Sequence, residues 1–163
     1  MRDHDQLREL LCARHPCVSI TTFEESHALS IVREVAMDAG LNVRLWSVTI
    51  GLRDGLIDNA PATPNTDHPA AALTMLARDR AIKQGLIVML DLCAHLKDER
   101  TLRAFREAVD ARNAAGDTII LIDQSAEFPA AVRSVVAKLD LSYPDEKELE
   151  SIVKSALREM NEW

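Results

Sequence analysis

Two uninterrupted apolar runs, Leu86-Ile-Val-Met-Leu90 and Thr118-Ile-Ile-Leu-Ile122, constrain this chain more than any other feature. A strand that is apolar at successive positions has no face to offer water and must be covered on both sides. Between the candidate strands lie helical patterns. One spans residues 3–14, with Leu7, Leu10 and Leu11 on one face; a second spans 25–39, with Ala28, Leu29, Val32, Val35 and Ala36 in register and Gly40 as its stop. Others are read at 70–83, 99–113 and 145–160, the last with Asp145, Glu146 and Glu148 where the helix dipole favours carboxylates. Cys17–Thr21, Val43–Val48 and 135–141 read as further strands, and 129–133 as a short helix. Residues 51–69 carry Pro61, Pro64 and Pro69 and read as a mobile loop. Strands alternating with helices need right-handed crossovers, so the expected fold is a three-layer α/β/α domain around a five-stranded, mainly parallel sheet.

The 163 residues suit a single domain over 1–163, and 47% hydrophobic against 28% charged residues excludes intrinsic disorder. A net charge of −7 argues against a nucleic-acid surface, which has to neutralise phosphates. No apolar run reaches the roughly 20 residues of a membrane span, and the N-terminus lacks a signal-peptide core, so a cytoplasmic protein is expected. Three cysteines without Cys-x-x-Cys spacing read as reduced thiols.

In open parallel sheets ligands bind beyond the carboxyl ends of the strands, so chemistry is sought there. After the first strand comes Thr21-Thr-Phe-Glu-Glu-Ser-His27. A nucleotide site would put a glycine-rich phosphate loop at this turn, yet no glycine occurs before Gly40 and no lysine replaces the missing charge. Glu24 and Glu25 put negative charge where phosphates would lie; their plainer role is to cap the following helix. Asp91 ends the third strand at the place of a magnesium-binding aspartate, but Leu92 follows it rather than a glutamate that could activate water. Asp123 ends the fourth strand, and both aspartates also read as turn residues. The candidate rim is therefore Glu24, Glu25, His27, Asp91, His95 and Asp123, with no catalytic, cofactor-binding or metal-ligating residue assigned.

Metal chemistry finds weak support. Cys17 begins one strand and Cys93 follows another, which separates them by roughly 15 Å along parallel strands. Zinc needs ligands at about 2.0–2.3 Å. A local Cys12/His15/Cys17 site, or His27 and His95 joining Asp91, is less natural than buried thiols and solvated histidines. There is no Gly-x-Ser-x-Gly elbow and no cysteine with an evident histidine base. Trp46 reads as packing or a strand rim, not a base-stacking platform.

Four segments carry a resemblance: Ala13-Arg-His-Pro-Cys-Val-Ser-Ile-Thr-Thr-Phe-Glu-Glu25, Val43-Arg-Leu-Trp-Ser-Val-Thr-Ile-Gly-Leu-Arg-Asp54, Gly85-Leu-Ile-Val-Met-Leu-Asp91 and Leu139-Asp-Leu-Ser-Tyr-Pro-Asp-Glu-Lys-Glu-Leu149. In this order they resemble the N-terminal region of a family of AAA+ ATPases of cyanobacteria, plastids and other bacteria. The Trp-Ser-Val-Thr-x-Gly-Leu stretch and the Thr-x-Glu-Glu turn are its more specific parts. The resemblance implies a degenerate AAA+ fold without a phosphate loop, no catalysis or cofactor in this chain, and a regulatory or interaction role toward a protein partner, an AAA+ ATPase module or its client.

Two alternatives compete. A receiver-like signalling domain would use Asp91 as phosphoacceptor, Glu24 and Glu25 as its acidic pair and Ser125 as its hydroxyl, but Tyr143-Pro144 stands where a lysine would precede the proline. A metal-dependent hydrolase would use Asp91, Asp123 and His95. Strand order separates the first two folds. The first strand lies between the fourth and fifth in the AAA+ order, and between the second and third in the receiver order.

Overall fold

The apolar runs do form the middle of a sheet. The computed structural model describes residues 2–79, 85–125, 127–142 and 145–162. Its strands are β1 (Cys17–Thr21), β2 (Asn42–Ser47), β3 (Gly51–Asp54), β4 (Gly85–Leu90), β5 (Thr118–Asp123) and β6 (Val136–Leu139). Its helices are α1 (Asp3–Cys12), α2 (Glu25–Ala39), α3 (Pro69–Arg78), α4 (Glu99–Ala114), α5 (Ala130–Arg133) and α6 (Glu146–Asn161), with a 3-10 turn over Cys93–Lys97. The sheet order is β3-β2-β4-β5-β1-β6. Every pair is parallel except β2–β3.

β1 lies between β5 and β6, the fourth and fifth of the strands read from sequence. This is the AAA+ order, and it removes the receiver topology. β4 and β5 pair at the centre, and their residues alternate between two cores because successive side chains point to opposite faces. Ile87, Met89, Ile119 and Leu121 join Leu73 and Leu76 of α3 and Phe105 and Val109 of α4. Leu86, Val88, Ile120 and Ile122 join Leu7 of α1 and Val32 and Val35 of α2. Each fully buried aliphatic side chain contributes about 1.5–3 kcal/mol. That double cover explains why Leu86–Leu90 and Ile119–Ile122 carry no polar position.

The sheet has six strands, not five. The extra strand, β3, falls inside the stretch 51–69 expected to be a loop. Residues 48–50 turn the chain, Gly51 follows at φ +93°, and Trp46 and Ser47 pair back to Leu52 and Gly51. A Cβ at Gly51 would stand 2.8 Å from the Thr66 hydroxyl. Only glycine suits both that conformation and that approach. The Trp-Ser-Val-Thr-Ile-Gly-Leu segment is therefore a hairpin. The rest of the stretch closes the outer edge of β3: Leu52 N–H donates to Thr66 Oγ1 at 2.9 Å, and Thr63 N–H donates to Leu52 O at 2.7 Å. Pro69 opens α3, where a missing N–H costs nothing.

Helix ends differ from expectation by small amounts. α1 stops at Cys12 rather than 14, and β6 is shorter than 135–141. α3 ends at Arg78; the remainder of the helix read at 70–83 lies partly outside the described residues, as does Tyr143-Pro144. Gly40 ends α2 in the left-handed conformation, φ +66°, with Leu41 N–H bonded to Ala36 O. α6 starts on a capping box, Asp145 accepting from Glu148 N–H and Glu148 from Asp145 N–H, yet none of its residues is buried. No helix among the described residues is long and apolar enough to cross a membrane.

Candidate functional site

The parallel strands bring the ends of β1, β4 and β5 to one edge. At the first of these, only Thr22, Phe23 and Glu24 separate β1 from α2. A phosphate loop needs four residues between its glycines before the helix begins, so this connection is too short to wrap an anion. Thr22 N–H is held by Asp123 O at 2.8 Å, and Glu24 N–H by the Thr22 hydroxyl at 2.9 Å. Neither Glu24 nor Glu25 makes the capping bond expected of it. The Thr22 hydroxyl binds only the N–H of Glu24 itself, so no side chain caps the first turn, where Glu25 remains dipole-favoured. Both carboxylates and the Phe23 ring face solvent.

Asp91 and Asp123 come together. Asp91 follows β4 with φ +56°, a left-handed conformation in which its N–H reaches Ile122 O at 3.0 Å. Asp123 is 4% exposed. Its Oδ1 accepts Cys93 N–H at 3.0 Å, and its Oδ2 is buried with no hydrogen-bond partner among the described residues. Burial, with a smaller push from the Asp91 charge, raises the Asp123 carboxyl to about 6, against the pull of the Cys93 N–H. The two aspartates line a crevice of about 250 Å³ together with Lys97 and Ser125.

The other rim residues stand apart from that crevice. None of Glu24, Glu25, His27 or His95 lines it. His27 sits half-buried in the first turn of α2. His95 lies edge-on to Trp46, ring centroids 6.1 Å apart, and lines a separate cleft with Asp67 and Thr101. The Asp91/Asp123/His95 hydrolase set is thus not assembled around one crevice. Among the described residues no group of three or more His, Cys, Asp or Glu could hold a metal ion.

Cys93 is the neighbour that sequence reasoning placed only as a remote thiol. Its Sγ donates to Glu127 O at 3.1 Å, and burial, the leading cause, pushes the thiol up to about 11. Cys17 is raised further for the same first reason. Neither thiol is poised as a nucleophile at neutral pH. The only hint of Cys93's contact with Asp123 was that both follow strand ends. Trp46 is fully buried, and its Nε1–H donates to Thr66 O at 2.7 Å, so it packs and does not stack on a ligand.

Residues 3–141 match the family described as SpoVK-like AAA ATPase, N-terminal domain. The chain is 24% identical over 166 residues to the AAA domain-containing protein ycf46 of Trieres chinensis, a match covering 99% of this chain and 32% of that protein. The chain therefore spans about a third of the length of that curated relative. Among solved structures it is similar to a chain of the HORMA:CdnC:Trip13 complex of E. coli MS115-1, with TM-score 0.57 and 16% identity over 94% of this chain and 64% of the other. It is also similar to PCH-2 of C. elegans, with TM-score 0.56 and 10% identity over 98% of this chain and 47% of the other. At these identities the structural likeness concerns the fold.

Proposed function

Because the chain belongs to the SpoVK-like AAA ATPase N-terminal domain family, we propose that it is a non-catalytic interaction and regulatory domain working with an AAA ATPase module. The observation that carries this reading is the three-residue β1–α2 connection. It has no glycine to let backbone approach a phosphate and no lysine to neutralise one, and it carries a glutamate next to the glutamate that opens α2. Asp91 lacks a following glutamate that could activate water. A chain of this fold whose β1–α2 turn has no anion cradle keeps its surfaces for partners.

Calorimetry tests this directly. Titration with Mg-ATP and Mg-ADP is expected to give no binding tighter than about millimolar. A micromolar constant that is lost on mutating the Phe23–His27 turn would overturn the reading. In the second arm, the domain is added to an AAA ATPase module of the same family. A change in turnover supports a regulatory role, and unchanged turnover with no co-sedimentation refutes it.

A further inference from the structure

Among the described residues two surfaces without a partner are complementary, and they lie at opposite edges of the sheet. The first is α6. Leu149, Ile152, Val153, Leu157 and Met160 are all exposed, Met160 to 72%, and with Ala156 they fall on one arc of about 140° at 100° per residue. Glu150 follows one margin of that arc, and Glu148 and Glu159 the other, while Glu146 in the first turn falls within it beside Leu157; Lys147, Lys154 and Arg158 share the opposite side. The apolar stripe is thus edged by carboxylates alone. That arc is wider than the narrow seam of a two-stranded coiled coil.

The second surface is a groove of about 1270 Å³ between the β2–β3 hairpin and α3. Its floor includes Val43, Leu52 and Met75, and its rim holds Arg53, Arg78 and Arg100. Among the described residues none of these three guanidiniums makes a hydrogen bond or ion pair, whereas Arg44 beside them is bonded to Asp79 at 2.6 Å. Four arginines against Asp54 and Asp79 make this a cationic patch on a chain of net charge −7. A helix about 10 Å across would fill the volume over roughly three turns.

We propose that α6 of one copy docks into the β2–β3/α3 groove of a second copy, apolar stripe to floor and flanking glutamates to arginines. The groove cannot be filled by the chain's own helix. α6 is tied to the β6 side by Ser142 N–H bonded to Asp3 and by Arg2 paired with Asp145 at 3.0 Å. The groove adjoins β3, at the far edge of the six-stranded sheet, about 24 Å away at 4.8 Å per strand. Two different surfaces at opposite edges make the contact head-to-tail, the type that builds rings or open chains rather than closed two-fold pairs.

The test uses sedimentation of the full chain. The wild type is expected to associate with rising concentration, and less so at high salt. A helix variant, Ile152→Asp with Leu157→Asp, and a groove variant, Arg78→Glu with Arg100→Glu, each remain monomeric alone. Mixed together they form a heterodimer and nothing larger, because one intact helix meets one intact groove. All four positions are exposed, and unchanged far-UV dichroism and thermal midpoint confirm that the variants fold. Three results would overturn the proposal. One is a wild type that stays monomeric to about 300 µM; another is a groove variant that associates like the wild type, which would mean helix pairing with helix. The third is a mixture that forms no heterodimer.

Discussion

Asp123 shows how burial alters a single residue. Its Oδ2 is buried and meets no donor among the described residues, so burial disfavours the charged form and the carboxyl titrates near 6 in the folded chain, above its unfolded value. The folded state then binds the proton more tightly than the unfolded one. The stability from this group is fully present below the unfolded pKa and is lost as pH rises through about 6. Asp123→Asn keeps an oxygen for Cys93 N–H and removes the titration. Its thermal midpoint relative to wild type is expected to rise between pH 4.5 and pH 8, by the equivalent of at most about 3 kcal/mol. A pH-independent difference would mean the carboxyl is not shifted. Sequence placed Asp123 at a strand end, but it carried no sign that one oxygen would be satisfied and the other stranded, since Cys93 is 30 residues away.

The β2–β3 hairpin makes the same point for an element. Four residues of strand beside a proline-bearing segment offer no periodicity to read, and β3 exists because its outer edge is closed by Thr63 and Thr66. Thr66 is 1% exposed; its hydroxyl accepts from Leu52 N–H and donates to Thr63 O at 2.6 Å, while its carbonyl takes the Trp46 indole. Thr66→Val leaves a buried donor and a buried acceptor unmade, and urea denaturation should show a loss of about 2–4 kcal/mol. Thr66→Ser, which keeps the hydroxyl, should lose under about 1 kcal/mol. Equal losses for the two variants would show that the methyl group, not the bonds, holds the loop. α2 and α6 were legible by contrast, because a glycine stop and a capping box act within a few residues.

Across the whole molecule, the pole away from the strand ends is joined by Arg112. From within α4 its guanidinium pairs with Asp117 at 3.3 Å and donates to Asp79 O at the end of α3. Asp117 in turn accepts Gly85 N–H, the first of β4, at 2.8 Å, and Asp79 holds Arg44 of β2. Burial raises the Asp117 carboxyl, opposed by the Gly85 N–H and the Arg112 charge. Arg112→Met strands that carboxylate and is expected to cost about 3 kcal/mol in chemical denaturation. Adding Asp117→Asn, which still accepts from Gly85, should restore part of the loss; no recovery would show that the cost lies in packing around the aliphatic stem.

The chain order of strands and helices, the apolar runs at the middle of β4 and β5, the glycine stop of α2 and the missing phosphate loop belong to the sequence itself. Each depends on residues adjacent along the chain, where periodicity, dipole and backbone freedom act directly. The tertiary structure alone decided that β1 lies between β5 and β6, that the hairpin adds a sixth strand, and that Asp91 meets Asp123 while His95 turns to Trp46. It also left α6 uncovered with an arginine-rimmed groove at the opposite edge of the sheet. These arrangements are set by which distant surfaces exclude water from one another, and separation along the chain carries no record of that.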